Sequence, residues 1–241
     1  MVDPNQIALS EAEKRFDLVS RDKISKKISF YLDIKKLPKN LFIVIIATTA
    51  DVRKDIVENL LKHSRLKYIV LEKIVFQNSN CFKPILNSFE NKKIKAWVNF
   101  PRRTFDLYKN IKKELSGQKI FIKVIGNNWG LACNSIHFID LLSYMTNHFD
   151  LQFNINGLEN VIYNSIRPSF KEIKGEIEIR TNTGDILLLK DKNKYDGKFE
   201  ITISSSLKAF NIHESENLIY YMMSKKIINS KKIKLPYQSE L

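Results

Sequence analysis

The chain has 241 residues, 44% of them hydrophobic and 27% charged, with a formal net charge of +14; it is long enough for one large or two modest domains, and its composition is that of an ordinary globular protein rather than a disordered one. The excess charge is mostly lysine spread along the whole chain, whereas a nucleic-acid footprint would be clustered and arginine-rich, so an anionic small substrate or cofactor is the easier partner to reconcile. No apolar run approaches the roughly 18 residues of a membrane span, residues 1–4 carry no secretory pattern, and Cys81 and Cys133 have neither metal-ligand spacing nor a pairing pattern, which points to a reducing cytoplasm and no metal centre.

In chain order, residues 1–3 read as the tail of a strand, and Gln6 to Phe16, after Pro4, as a helix. Lys27 to Leu37 alternates loosely and reads as a short edge strand stopped by Pro38. Leu41 to Ala47 is apolar on both faces, as a strand covered by helices on each side must be. A helix is expected over Asp51 to His63, a strand over Lys67 to Lys73, a second helix over Cys81 to Asn91 and a third strand over Ile94 to Phe100. That alternation is the pattern of βαβ units with a parallel sheet, whose ligands sit outside the carboxyl ends of the strands. The polar groups at those ends are Asp3, Thr48 with Thr49, Glu72 with Lys73, and Asn99 with Arg102.

Beyond Pro101 the pattern changes. Helices are expected at Phe105–Leu115 and Cys133–Thr146 around a strand at Lys119–Ile125, followed by strands at Leu158–Ile166, Glu172–Arg180, Asp185–Leu189 and Lys198–Ser204. Asn182-Thr183-Gly184 and Tyr195-Asp196-Gly197 are hairpin-type turn signals. The expected fold is an incomplete Rossmann-type parallel sheet over residues 1–100, then an α+β domain with a mainly antiparallel sheet over residues 101–241.

Two constellations carry chemistry. Glu72-Lys73 is either a strand-end ion pair or an oriented lysine able to hydrogen-bond a substrate hydroxyl and hold charge as a proton leaves. His137 and Asp140, spaced i, i+3, share a helix face on which the acid would orient the imidazole; the plainer alternative is a structural histidine on a half-buried helix.

Val70-Leu71-Glu72-Lys73 resembles the Glu-Lys-Pro signature of the Gfo/Idh/MocA family, the glucose-fructose oxidoreductases, inositol dehydrogenases and related sugar dehydrogenases. Ile43-Val44-Ile45-Ile46-Ala47-Thr48 is similar to that family's preceding strand, His137-Phe138-Ile139-Asp140 to its His-x-x-Asp helix, Asn99 to Arg103 to the segment leaving its nucleotide domain, and Met1-Val2-Asp3-Pro4-Asn5 to its second strand. The resemblance implies an NAD(P)-dependent oxidoreductase that moves a hydride between a nicotinamide and a sugar, nucleotide-sugar or cyclitol hydroxyl, and a homo-oligomer formed through the sheet of the second domain. It implies Lys73 and His137 as catalytic residues, with Asp3, Thr48, Thr49 and Glu72 lining the cofactor and Asp3 selecting NAD over NADP. Arg102, Asn128, Trp129, Asn134 and Asp140 would face substrate. Three departures stand out: Ile74 replaces the motif's proline, Cys133 stands where many members carry an aspartate, and no glycine precedes Gly117, so there is no Gly-x-Gly-x-x-Gly loop. The resulting expectation is a member shortened at both ends, the Lys234–Leu241 run reading as the approach to a terminal helix. The alternative is a noncatalytic member that binds a sugar or a partner subunit.

Overall fold

A computed structural model of the chain describes residues 1–18, 28–165, 169–192, 195–224 and 226–236. The Lys27 end of the first expected edge strand, the Ile166 end of the Leu158–Ile166 strand and positions 237–241 of the terminal run lie outside the described residues. The chain divides into two compact units, Met1–Asn99 and Phe100–Leu241.

The first unit opens with α1 (Gln6–Asp17), capped by the Asn5 side chain, which accepts from the amides of Ile7 and Ala8. Then follow β1 (Asn40–Ile46), α2 (Ala50–His63), β2 (Arg65–Leu71), α3 (Phe82–Asn91) and β3 (Lys95–Val98). The three strands form a parallel sheet in the order β1-β2-β3. The register aligns Ile46 with Leu71 and Leu71 with Val98. All three carboxyl ends therefore finish on one line.

Successive right-handed crossovers in one direction put both helices on the same face of a sheet. Val57, Leu60 and Leu61 of α2 and Ile85 and Phe89 of α3 accordingly share a single core with Ile46, Ile69 and Leu71. The opposite face carries Ile43, Ile45 and Trp97, all more than half exposed, and this corrects the expectation that β1 is covered on both sides. Across that open face run three rings: Phe42 lies edge-on to Tyr68 at 5.1 Å, and Tyr68 lies 5.8 Å from Trp97.

The described part of the expected Lys27–Leu37 strand contributes one isolated parallel bridge, Val2 to Tyr31, and then a 3-10 turn at Ile34–Lys36. The Asp33 carboxylate accepts from the Lys35 amide and starts that turn, which overrides the weak alternation.

The second unit has α4 (Asp106–Glu114), β4 (Phe121–Gly126) and α5 (Leu131–Thr146), then β5 (Leu151–Leu158), the short pair β6 (Tyr163–Asn164) and β7 (Lys171–Glu172), β8 (Gly175–Thr181), β9 (Ile186–Asp191), β10 (Glu200–Ser204), β11 (Lys208–His213), β12 (Leu218–Met223) and β13 (Lys226–Lys232). Eight of these strands form one sheet in the order β13-β12-β11-β10-β4-β9-β8-β5. Its pairings are antiparallel except β4 with β9. Alternate residues such as Ile122, Val124, Leu187, Leu189, Ile201 and Ile203 are fully buried against Tyr108 and Ile111 of α4 and Phe138, Leu141 and Leu142 of α5. This is the fold class expected from the sequence.

Beyond the strands β11 to β13, which were not expected, three details differ from the expectation. A strand lies at Leu151–Leu158 where none was expected; it is an edge strand whose central residues are all exposed, so it lacks the alternation that marks a core-facing strand. The expected Leu158–Ile166 strand shrinks to the two residues of β6. Tyr195-Asp196-Gly197 does not join neighbouring strands, because β4 lies between β9 and β10. At Asn182-Thr183-Gly184 the tight turn is real: Gly184 has φ +89° and donates its amide to the Thr181 carbonyl at 3.0 Å.

Candidate functional site

The carboxyl edge of the three-stranded sheet is built by continuing its ladders one residue past the strands. The Glu72 amide donates to the Ile46 carbonyl at 3.1 Å and the Asn99 amide to the Leu71 carbonyl at 2.8 Å. These bonds set Glu72 and Asn99 side by side, and the Asn99 amide nitrogen donates to Glu72 Oε1 at 2.5 Å. Glu72 is thereby oriented by an asparagine, with Lys73 next in the chain; the Lys73–Ile74 peptide bond is cis.

At the end of β1, Thr49 is the N-cap of α2, and its side chain helps to hold the Asp51 carboxyl below its usual range. The Thr48 hydroxyl is buried and has no hydrogen-bond partner. A buried hydroxyl without a partner is expensive unless a water or ligand supplies one. Asp3 follows the Val2–Tyr31 bridge, and its carboxylate accepts from the Asn5 amide at 2.8 Å, an Asx-type turn leading into α1.

One residue of this edge escaped the sequence reading. Arg53 on α2 is 1% exposed. Its guanidinium donates to the carbonyls of Thr48, Glu72, Ile74 and Val75, with 2.7 Å to Glu72 and 2.9 Å to Val75. Burial lowers its pKa, partly offset by the charges of Glu72 and Asp51. The signal was present in the sequence: Arg53 lies one turn before Val57 and two before Leu60 and Leu61, a charge on the buried stripe of its helix.

In the second unit the candidates gather on the loop between β4 and α5 and on the first turns of α5. Asn128 and Gly130 both have positive φ, 52° and 82°. At Gly130 a Cβ would crowd the Asn134 side chain at 3.0 Å and Glu172 Oε1 at 3.1 Å, and the positive φ would strain any other residue there. Two carboxylates that the sequence reading missed hold this loop. Asp191, 1% exposed, accepts from the amides of Asn128 at 2.7 Å and Gly130 at 3.2 Å, and Glu172 accepts from Ala132 at 2.8 Å. They satisfy amides at the start of α5 and complement its dipole. Burial nevertheless pushes the Asp191 carboxyl above its usual range, because its desolvation outweighs the amides it accepts from.

The side chains of that loop are largely committed. Trp129 donates from Nε1 to the Lys190 carbonyl at 2.8 Å and packs on Phe138 and Phe199. Asn134 donates to the Trp129 carbonyl at 2.7 Å, and Asn128 Oδ1 accepts from Lys174. His137 is half-buried on α5, its ring edge-on to Phe100 at 6.0 Å. Both Asp140 oxygens accept from Arg103, at 2.6 to 2.9 Å. Arg102, expected to face substrate, forms a fork on Glu214, with Nε to Oε1 at 3.0 Å and Nη2 to Oε2 at 2.5 Å, while the Tyr108 hydroxyl donates to the same carboxylate at 2.6 Å. Lys73 and His137 are carried by different units.

The residues present fit one end of a nicotinamide cofactor: an unpartnered buried hydroxyl at Thr48, a fixed carboxylate at Glu72 and a lysine beside it, all at the carboxyl edge of a parallel sheet. Residues 1–116 contain no glycine, so no Gly-x-Gly-x-x-Gly loop for a pyrophosphate lies among them. Among the described residues no group of three or more His, Cys, Asp or Glu is placed to hold a metal ion, and no helix is long and apolar enough to cross a membrane.

No family model matches the chain, and no curated protein is similar to it in sequence. Solved structures are similar to it in fold. A super-repressor mutant of Gal80p from Saccharomyces cerevisiae superposes with a TM-score of 0.70 at 15% identity, over 99% of this chain and 72% of that one. A Gfo/Idh/MocA family oxidoreductase from Vibrio cholerae gives 0.65 at 13% identity, over 99% and 75%. An inositol dehydrogenase homolog from Azotobacter vinelandii, complexed with NADH and myo-inositol, gives 0.60 at 12% identity, over 83% and 58%. The two-part architecture of this chain, a parallel sheet followed by a mixed eight-stranded one, is the fold of the Gfo/Idh/MocA oxidoreductases.

Proposed function

We propose that the chain is a nicotinamide-dependent oxidoreductase of the Gfo/Idh/MocA type, acting on a hydroxyl of a sugar, nucleotide sugar or cyclitol in the cytoplasm. The observation that carries this reading is the strand-end group at Glu72-Lys73: a lysine at the carboxyl edge of a parallel sheet, next to a carboxylate held by Asn99 and above a backbone pinned by Arg53. The cofactor, when bound, supplies the hydride acceptor. Thr48, Thr49 and Glu72 would line it, and the Asp3 carboxylate would meet its ribose and favour NAD over NADP.

In this reading the Lys73 ammonium donates to the substrate hydroxyl and holds the negative charge that grows on that oxygen as its carbon loses hydride. His137 takes the hydroxyl proton, a role for which an imidazole near neutral pH is suited. Asn134 and Asn128 would recognise further hydroxyls of the substrate. Arg102 and Asp140, like those two asparagines, are already paired within the second unit, and would shape the substrate side of the site together with Glu214 and Arg103. A homo-oligomer through the open face of the eight-stranded sheet belongs to the same reading. That face presents a row of half-buried side chains including Thr202, Asn211 and Tyr220, aligned across β10, β11 and β12.

A second reading rests on a different pair of observations, the structural likeness to Gal80p and the lack of any glycine in residues 1–116. On that reading the fold is kept as a noncatalytic binding module for a sugar or a partner subunit. Titration of the 241-residue chain with NADH, followed by fluorescence or calorimetry, separates the two. Saturable binding, with turnover on one of a panel of sugars and cyclitols, supports the oxidoreductase. Absence of binding sinks an active dehydrogenase in this form and favours the binding module.

A further inference from the structure

We propose that Arg53 is the positioning residue for Lys73, fixing the turn from Glu72 to Val75 so that the lysine is presented at the carboxyl edge of the sheet; this deepens the oxidoreductase reading and rests on it for the role of Lys73. A guanidinium has five N–H donors in a rigid plane. Arg53 turns its two terminal nitrogens to four backbone carbonyls drawn from two separate strand ends, Nη2 to one after β1 and Nη1 to three in the turn after β2. Three of those carbonyls, from Glu72, Ile74 and Val75, bracket Lys73 in the sequence. The turn is thus held from beneath by a side chain that is itself 1% exposed.

The cost of this arrangement points to a use. Burying a guanidinium is unfavourable, and burial does lower the pKa of Arg53. Its four hydrogen-bond acceptors are all carbonyls, and its Nε is without a partner. An apolar residue at this position of the α2 stripe would pack against Val57 and Leu60 without that penalty, but would leave the carbonyls of the turn unmatched. A lysine would keep the charge but lose the planar fork that reaches carbonyls on both strand ends at once. Arg53 therefore does for the backbone of the turn what Asn99 does for the Glu72 carboxylate, and together they leave Lys73 little freedom of placement.

The test uses the intact chain and needs no substrate. Acylation of individual lysines by a small amine reagent is followed by peptide mass spectrometry across a range of pH, in the unmutated chain, in Arg53→Lys and in Arg53→Met. Lys67 and Lys95, exposed on β2 and β3, are the internal references. The expected result is that Lys73 is labelled about threefold or more faster, with a displaced pH profile, in both variants relative to those references, because amine reactivity follows its immediate surroundings. Arg53→Lys should show the smaller change. An unchanged Lys73 rate and profile in a folded Arg53→Lys chain would overturn the proposal. So would loss of the fold in both variants, since Arg53 would then support the unit as a whole rather than the Lys73 turn. NADH titration of the same samples keeps the two claims apart: failure of the unmutated chain to bind NADH removes the oxidoreductase reading, while the coupling of Arg53 to Lys73 is decided by the labelling alone.

Discussion

Replacing Glu214 by glutamine tests how the second unit is held together. Glu214, in the 3-10 turn between β11 and β12, accepts from Arg102 Nε and Nη2 and from the Tyr108 hydroxyl. Tyr108 is 0% exposed, and the Arg102 and Glu214 side chains are 16% and 17% exposed. The carboxylate thus joins the 3-10 turn at Pro101–Thr104, α4 and the β11–β12 turn. Glutamine keeps the shape but removes the charge, strands the Arg102 guanidinium and turns one acceptor into a donor. Removing one partner of a buried pair costs about 3–5 kcal/mol. The residual exposure places Glu214→Gln at the lower end, about 3 kcal/mol, equivalent to a fall in melting temperature of about 6–12 °C for a unit of this size. Tyr108→Phe, which removes one hydrogen bond to a charged acceptor, should cost about 1.5–3 kcal/mol. Urea unfolding followed by tryptophan fluorescence reads both; Trp129 lies in the second unit, and a Trp97→Phe background makes it the sole reporter. A Glu214→Gln loss below about 0.5 kcal/mol, the size of an ordinary surface change, would refute the reasoning.

Three further outcomes are expected. Lys73→Met should abolish turnover while leaving NADH affinity nearly unchanged; turnover equal to the unmutated chain would take Lys73 out of the mechanism. His137→Asn should lower turnover and alter its dependence on pH, and an unaltered profile would make His137 structural. Asp185→Asn addresses stability against pH. Burial raises the Asp185 pKa, but the Ile120 amide, the hydroxyls of Thr183 and Thr181 and the charge of Lys119 together outweigh it and bring the carboxyl below its usual range. A carboxyl depressed in the folded state contributes stability above its unfolded pKa of about 3.9 and loses it as pH falls through the folded value. The variant should therefore be less stable by about 1.5–3 kcal/mol at neutral pH, with the gap closing below about pH 4 in acid-unfolding curves; a gap that does not depend on pH would contradict this assignment.

How far the fold could be read in advance depended on where each residue's partners lie. The α2 and α5 helices were legible because Val57, Leu60 and Leu61, and likewise Phe138, Leu141 and Leu142, repeat at helical spacing, and each helix packs its stripe on a sheet. Glu72-Lys73 and His137 stood out because acid–base groups at a strand end or on a helix face are unusual by type. The partners of Arg102 and Asp140 were hidden. Arg102 meets Glu214 across 112 residues and Arg103 meets Asp140 across 37, and nothing local distinguishes a paired arginine from a free one. Asp191 and Glu172 were missed for the same reason, since their acceptors serve a loop 61 and 40 residues earlier. Of the unread strands β11 to β13, only β13 is exposed along its whole length and signals no core, whereas β11 alternates, with Phe210 and Ile212 buried, and carried a readable signal.

What the sequence alone determined is the alternation of strands and helices, the line of polar residues where the parallel strands end, and the absence of a glycine loop, because each depends on residue type and spacing over a few positions. Only the tertiary structure decided which of those polar groups are spent on holding the fold and which remain at the edge. It paired Arg102 with Glu214 and Asp140 with Arg103, left the Thr48 hydroxyl without a partner, and set Arg53 against the carbonyls on either side of Lys73. Those assignments rest on hydrogen bonds between residues far apart in the chain, and such bonds exist only once the sheet has brought its strand ends into line.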